Sequence, residues 1–368
     1  VVKPIRVLHV FGRLDAGGAE SRTMDIYREI NREHIQFDFV IHTQDDCFYS
    51  NEIKEMGGKI YKFPRFKGYN YKEYCEIWDS FLNNHRYYKI IHGHQTSVAF
   101  IYLKIAKKKN IPVRIAHARN SNKDRIIKKI TAKLSRLYAT DLFAVSKLAA
   151  HSEFGKNIAD VKIIPNAISA EKFRFNMGNR VKIREKLDIE TKTAFIHVGR
   201  FHPQKNHHML LNIFKELLQK NSEIMLFLVG EGPLENEMKE KVKFLNLNDN
   251  VVFLGIRDDV PELLQGMDAL IFPSLFEGFP GVVLEAQAAG LSCFISNTIT
   301  NEVELTQLIK FLSIKATPES WANHIYREKI VTHAREKYCD IVTQRGFDIK
   351  KVSMFYSEIY ENGYLKGK

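Results

Sequence analysis

The sequence predicts an α/β protein made of two Rossmann-like, doubly wound parallel-sheet domains. Three observations carry this. Short β-branched or aromatic runs alternate with longer stretches of helical period. The alternation pauses at a polar interval and then restarts. At 368 residues and 45% hydrophobic, the chain exceeds one ordinary core and suffices for two, at about 150 residues per domain.

The first series of runs covers residues 5–11, 37–42, 59–63, 90–94, 113–117, 142–145 and 161–164. Between them, segments such as 19–30 and 99–108 place apolar residues three and four apart, as helices covering a parallel sheet do. Residues 176–191 are polar. The second series then follows at 194–198, 225–229, 251–253, 269–272 and 292–295. Doubly wound sheets bind ligands beyond the carboxyl ends of their strands, so two of them facing each other predict a cleft between domains.

Composition narrows the function classes. Cys47, Cys75, Cys293 and Cys339 lie far apart with no Cys-x-x-Cys spacing, against a disulfide framework or a zinc cluster and in favour of a reducing, cytoplasmic setting. No apolar run approaches the ~20 residues of a spanning helix, and with a strand-like run from Ile5 neither a spanning helix nor a signal peptide is expected within these residues. The net charge of +12 calls for an anionic partner, with nucleic acid, nucleotide, phospholipid and anionic glycan all open, and its position matters. Residues 101–140 hold twelve Lys and Arg against the single acid Asp124, a local patch whose outward cations suit an anionic membrane surface. The bland alternative is an amphipathic helix that packs its apolar residues inward and leaves a solvated basic face.

The most informative segment is residues 272–285, FPSLFEGFPGVVLE, a buried-looking strand that passes through a Gly/Pro turn into a helix. A helix N-terminus offers free N–H groups and about half a positive charge, which suits a diphosphate without a metal. Gly278 and Gly281 let backbone approach a ligand. Glu277 before the turn and Glu285 one turn into the helix place one carboxylate toward sugar hydroxyls and the other toward ribose hydroxyls. The bland alternative is a helix-capping acid and a solvated one.

Residues 197–206, HVGRFHPQKN, follow the first strand of the second series. Arg200 suits bidentate phosphate contact and Lys205 a point-charge contact, together neutralising a leaving diphosphate; the bland alternative is two solvated loop cations. In the first half, Gly17 and Gly18 follow a strand and open a helix, admitting phosphate or sugar to backbone. The pattern is not Gly-x-Gly-x-x-Gly, which disfavours a dehydrogenase. His117, ending the 113–117 run, suits a hydrogen bond to a transferred sugar or to charge developing at its anomeric carbon, or else is a structural histidine; His94 is a weaker candidate. No Asp-x-Asp follows a strand, and Asp45-Asp46 lacks the rest of a Mg²⁺ site, so no metal and no cofactor are expected. Walker and His-Glu-x-x-His motifs are missing from the sequence.

Assembled in order, Gly17 to Glu20, Ala116-His117, Val145-Ser146, residues 164–166 (IPN), Gly199-Arg200 with Lys205, residues 229–233 (VGEGP), residues 253–255 (FLG) and Glu277 through Glu285 resemble the family 4 glycosyltransferases of the GT-B fold, especially their bacterial capsule and exopolysaccharide members. The resemblance spans nearly the whole chain. It implies an N-terminal acceptor-side domain over residues 1–168, a C-terminal nucleotide-sugar domain over 169–349, and a last helix, about 350–368, packing back on the first. It also implies that Arg200 and Lys205 hold the diphosphate, Glu277 the donor sugar and Glu285 the ribose. Backbone of Gly278, Phe279, Pro280 and Gly281 would complete the phosphate site, residues 253–257, beginning with Phe253, would hold the base, and His117 would face the sugar. Two positions depart from the family: Ala167 and Asn206 stand where glycine is common.

The family's reaction retains anomeric configuration, and the resemblance supplies no carboxylate nucleophile of the kind retaining glycosidases use. A same-face attack follows, in which the acceptor hydroxyl gives its proton to the leaving phosphate. The expected substrates are a nucleotide sugar, a UDP-sugar first among them, and a glycan or lipid-linked acceptor. Rival readings are a UDP-sugar 2-epimerase on the same fold and a basic nucleic-acid-binding protein; the latter has net charge but no recognisable module, so nucleic acid is not expected as a partner.

Overall fold

A computed structural model describes residues 3–15, 17–119 and 126–365. The chain divides into two compact units: Val1–Asn166 with Ile349–Lys368, and Ala167–Asp348. Each is built on its own parallel sheet, so the α/β fold class with two doubly wound sheets is the one the chain adopts.

The first sheet contains β1 (Ile5–Phe11), β2 (Ile35–Ile41), β3 (Ile60–Lys62), β4 (Ile90–Gly93), β5 (Val113–Ala118), β6 (Asp141–Ala144) and β7 (Val161–Ile163). Their spatial order is β3-β2-β1-β4-β5-β6-β7. Strands such as β4, with all four residues buried, read as continuous apolar runs because helices cover both faces. The C-terminal helix Ile349–Leu365 belongs to this unit and packs on β1, β4 and helix Gly18–Glu29. It buries Ser353, Tyr356 and Tyr360. A Cβ on its Gly363 would stand 2.5 Å from Val113 Cγ2, so only glycine lets the helix lie this close to the sheet.

The second sheet contains β8 (Thr193–Val198), β9 (Ile224–Val229), β10 (Val251–Gly255), β11 (Ala269–Phe272), β12 (Ser292–Ser296) and β13 (Ile309–Leu312), in the order β10-β9-β8-β11-β12-β13. Leu210, Phe214, Leu226, Leu228, Ile271 and Trp321 are among its core, each worth about 1.5–3 kcal/mol when fully buried.

Several elements are missing from the sequence reading, among them helices Pro318–Arg327 and Lys337–Gln344, and two more stand out. The polar interval at 176–191 contains a helix, Met177–Lys186, that belongs to the second unit. Its inward face is sparse in apolar residues because arginines do the anchoring. Arg180 and Arg184 share the buried carboxylate of Asp268, at 2.6 and 3.2 Å, which also accepts the Ala194 N–H at 2.8 Å. Gly266 makes room for Ile183, whose Cγ2 would lie 2.4 Å from a Cβ there. The second addition is β13, pairing in parallel with β12; the run is four residues long and interrupted by Lys310, too short to stand out by pattern.

Candidate active site

In each sheet the chain winds outward in both directions from one pair of neighbours, β1 and β4 in the first, β8 and β11 in the second. The loops at the carboxyl ends of such a pair diverge and leave a crevice, where open parallel sheets take their ligands. Gly17 and Gly18 follow β1, Arg200 and Lys205 follow β8, and Glu277 to Gly281 follow β11, whereas His117 lies on β5 and Phe253 on the edge strand β10.

In the second unit, Lys205 Nζ donates to Glu277 Oε1 at 2.7 Å and lies 4.6 Å from the centre of the Phe272 ring. Both partners of this ion pair are largely buried, with side chains 18% and 10% exposed, so the contact is far less screened than a surface pair. Three further hydrogen bonds tie the two loops together. The Leu275 N–H donates to the Gln204 carbonyl at 2.8 Å, Gln204 Nε2 to the Phe276 carbonyl at 2.9 Å, and Asn206 Nδ2 to the Pro273 carbonyl at 3.2 Å. Below them, Ser296 and Thr298 hydroxyls both donate to the Ser274 carbonyl. Lys205 and Glu277, 72 residues apart, are therefore held by backbone on both sides rather than by each other alone. Asn206 has φ 55° and ψ 47°, the left-handed conformation that asparagine tolerates better than most residues. That explains how it occupies a position where glycine is common.

Glycine is required where these loops interlock. A Cβ on Gly199 would meet Lys205 Cε at 3.0 Å, and one on Gly230, where φ is +129°, would lie 2.4 Å from the Gly199 carbonyl oxygen. Backbone bonds from Gly199 to Val229, Phe201 to Glu231 and Gly230 to Gly255, all 2.8–3.0 Å, knit the ends of β8, β9 and β10 into one floor. Arg200 rises from that floor exposed to solvent, with no ion pair among the described residues.

Helix Gly281–Ala288 starts after Pro280 with no side-chain cap on its first N–H groups, leaving donors at the end where its dipole is positive. Its far end is gripped by the buried Arg335, whose Nε and Nη2 donate to the Ala289 carbonyl at 2.9 and 2.7 Å while Nη1 reaches the Met267 carbonyl at 2.9 Å. A guanidinium at a helix C-terminus is the favourable sign. Glu277 and Glu285 are both buried. The Phe279 ring stacks on Phe347, centroids 5.6 Å apart, which anchors the turn. Phe253 is half-buried, 5.7 Å from the Phe201 ring. It borders a hollow of about 360 Å³ on the side of helix Glu235–Phe244, away from Arg200 and Lys205.

In the first unit, Gly17 caps helix Gly18–Glu29 without a side-chain bond, and the space beside Gly18 is open. His117 on β5 is fully buried, within a stack of four histidines. The parallel register sets His9 opposite His92, and His94 and His117 follow two residues beyond a paired position on the same face. His9 Nδ1 faces His94 Nε2 at 2.9 Å, His92 Nε2 faces His117 Nδ1 at 3.0 Å, and His92 Nδ1 faces the Tyr360 hydroxyl at 2.7 Å. Arg119 Nε donates to His94 Nδ1 at 3.1 Å, and its other nitrogens reach Asn166 and Thr23. Burial holds all four imidazoles well below their ordinary pKa, with the nearby Arg119 charge acting in the same direction, so they are neutral. Nitrogens of His9, His92 and His94 converge within 4.8 Å. Hydrogen bonds to each other, to His117 and Tyr360, and to a guanidinium engage both nitrogens of His92 and His94 and Nδ1 of His9, while His9 Nε2 has no partner among the described residues.

The structure thus brings Lys205, Glu277, Arg200 and the helix N-terminus at Gly281 to one end of the second sheet, and places Gly17, Gly18 and His117 in the first unit. The sequence reading did not single out His9, His92, Arg119 and Tyr360. A lone histidine in a β-run looks like core, and only the register of β1, β4 and β5 aligns them.

Residues 179–328 match the family described as glycosyl transferases group 1. EpsF of Bacillus subtilis (strain 168), a glycosyltransferase by description, is 31% identical over 359 residues, 94% of this chain and 94% of its own. CapH of Staphylococcus aureus, described as a capsular polysaccharide biosynthesis glycosyltransferase, is 26% identical over 97% of this chain and 98% of its own. The crystal structure of Anabaena Alr3699/HepE in complex with UDP-glucose superposes with a TM-score of 0.80 at 17% identity, covering 97% of this chain and 99% of that one, a likeness of fold. On the strength of the match to EpsF along nearly its full length, the chain belongs to the group 1 glycosyltransferases and is a glycosyltransferase enzyme.

Proposed function

We propose that the enzyme is a retaining transferase that moves a sugar from a nucleotide diphosphate sugar, a UDP-sugar, to a glycan or lipid-linked acceptor in capsule or exopolysaccharide synthesis. The observation that carries the donor half is the constrained Lys205–Glu277 pair beside exposed Arg200 and an uncapped helix start. Arg200, Lys205 and backbone near Gly278 to Gly281 bind the diphosphate, Glu277 the sugar, Glu285 the ribose, and backbone from Phe253 onward the base. This arrangement gives the leaving phosphate fixed positive partners as its charge grows, and such preorganised groups need no metal to act. The acceptor oxygen attacks the anomeric carbon on the face that the phosphate leaves. The C–O bond to phosphate breaks as the new one forms, and the acceptor's proton passes to a phosphate oxygen. His117 contributes a hydrogen bond to the transferred sugar. HepE is recorded with UDP-glucose and CapH by a capsular role, which supports the donor and the pathway class.

The first unit is proposed to dock on the inner face of an anionic membrane, near a lipid-linked acceptor. No helix of the described residues is long and apolar enough to cross a membrane. Helix Ile126–Tyr138 exposes Ile130 at 54% and Leu137 at 64%, with Lys133 also outward, a mixed apolar and basic face suited to an interface. Arg136 is engaged with Asp160 and the Asn157 carbonyl and adds less than its charge implies. Lys123 and Arg125, and the side chains of Ile126, Ile127, Lys128 and Lys129, lie outside the described residues.

Thermal shift with UDP, GDP and ADP and their sugars tests the donor: the right ligand at 100 times its Kd stabilises by about 2.7 kcal/mol. Transfer assays with EDTA, with the product's anomeric configuration read by NMR, test the rest. Epimerised donor without transfer, inverted product, or a requirement for Mg²⁺ or Mn²⁺ each defeats part of the reading. Sedimentation with phosphatidylglycerol vesicles at low and high salt tests docking; no binding even at low salt removes it.

A further inference from the structure

We infer that Tyr360, on the C-terminal helix, fixes the tautomer of His117 through His92 and so presents His117 as a hydrogen-bond donor at Nε2. The inference rests on the reading that His117 meets the transferred sugar.

Among the described residues, the one hydrogen-bond partner of the buried Tyr360 hydroxyl is His92 Nδ1, 2.7 Å away. A buried phenol that does not donate leaves its proton without an acceptor, so Tyr360 donates and His92 Nδ1 accepts. A neutral imidazole carries one proton, which on His92 must then sit on Nε2. That nitrogen faces His117 Nδ1 at 3.0 Å, so His117 accepts at Nδ1 and holds its own proton on Nε2. Burial and the Arg119 charge keep both rings neutral, which maintains the alternation.

His117 Nε2 is buried and has no hydrogen-bond partner among the described residues. Reversing the chain would leave two errors, an orphaned Tyr360 O–H and a second unmet acceptor at His117. In the direction argued, one donor is left over, at the atom where a ligand oxygen is wanted. His94, the other imidazole near His117, is committed elsewhere: Arg119 can only donate, so His94 accepts at Nδ1 and donates from Nε2 to His9. Tyr360 and His92 are therefore positioning residues, and the helix that carries Tyr360 returns to the first unit from the far end of the sequence.

The test is a two-bond ¹H–¹⁵N correlation on the full chain labelled at histidine, with His117 assigned by its loss in His117→Gln. Wild type should show the His117 proton on Nε2. Tyr360→Phe, which removes one oxygen, should redistribute that proton between Nδ1 and Nε2 and lower kcat by about tenfold with donor KM within about twofold. His92→Phe should redistribute it too. A His117 proton on Nδ1 in wild type overturns the inference, as does an unchanged tautomer in Tyr360→Phe. If the tautomers behave as stated but His117→Gln transfers at the wild-type rate, the relay stands and the sugar-facing reading of His117 falls.

Discussion

The two units use the same sheet architecture and load their switch points with opposite kinds of chemistry. In the first, the strands at the reversal carry imidazoles that bond to one another out of water and stay neutral. In the second, the loops carry an ion pair and a solvated arginine. The neutral stack can supply directional hydrogen bonds without attracting a charge, whereas the cationic loops attract an anion and stabilise one that grows. Under the proposed reaction, neutral imidazoles suit a neutral sugar and cationic loops suit a departing diphosphate.

The largest expected effect comes from acid. Five histidines are buried in the first unit, His9, His42, His92, His94 and His117, against two in the second, His197 and His207. Burial lowers the pKa of all seven in the folded state, that of His207 to about 3. Below the unfolded value of about 6.5 the unfolded chain takes up protons that the folded chain refuses, so stability is complete above that pH and declines as pH falls. Each group contributes at most about 1.4 kcal/mol per pH unit, less where neighbours titrate together. Hydrogen exchange at pH 7 and 5.5 should show the first sheet losing protection more steeply than the second. Equal losses would mean that the histidine stack accepts protons while folded.

Next in size is the cationic loop. Arg200→Ala should lower kcat by about 10²–10³, or roughly 2.7–4 kcal/mol, if it stabilises the leaving group, with stability changed by less than about 0.5 kcal/mol because the side chain is exposed. Lys205→Ala should reduce turnover similarly and also cost about 1–3 kcal/mol of stability, since it removes the lysine from a Glu277 only 7% exposed. Transfer rates and urea midpoints measured on both variants separate the two residues. Normal turnover in either would take that cation out of the mechanism.

What the sequence made legible follows its physics. Runs such as residues 269–272 and the glycine-rich turn into helix Gly281–Ala288 are local signals, and the strand and helix lie where those signals put them. Arg200, Lys205 and Glu277 were visible as charges next to strand ends. The neutral stack was not, because its meaning lies in pairing across β1, β4 and β5 and in Tyr360, 268 residues from His92. Helix Met177–Lys186 escaped for a related reason: its anchors are arginines bonded to Asp268, and a polar anchor leaves no apolar stripe to find.

The smallest expected effect sharpens the contrast between a loop held by backbone and one held by charge. Asn206 stands between Lys205 and the helix His207–Leu218 in a left-handed conformation, and its side chain contributes one hydrogen bond, to Pro273. Replacing it with glycine removes that bond, worth about 0.5–1.5 kcal/mol, while making the backbone conformation easy. The net change in stability should stay within about 1 kcal/mol. Alanine loses the same bond and meets a left-handed penalty of about 1–2 kcal/mol, so Asn206→Ala should be less stable than Asn206→Gly by roughly that penalty. The same strain acts on the residue after Lys205, so turnover should fall further in the alanine variant than in the glycine one. Urea midpoints and transfer rates for the pair decide it. If alanine is as stable and as active as glycine, the loop relaxes out of the left-handed turn, and the Lys205–Glu277 contact rather than the backbone sets its shape.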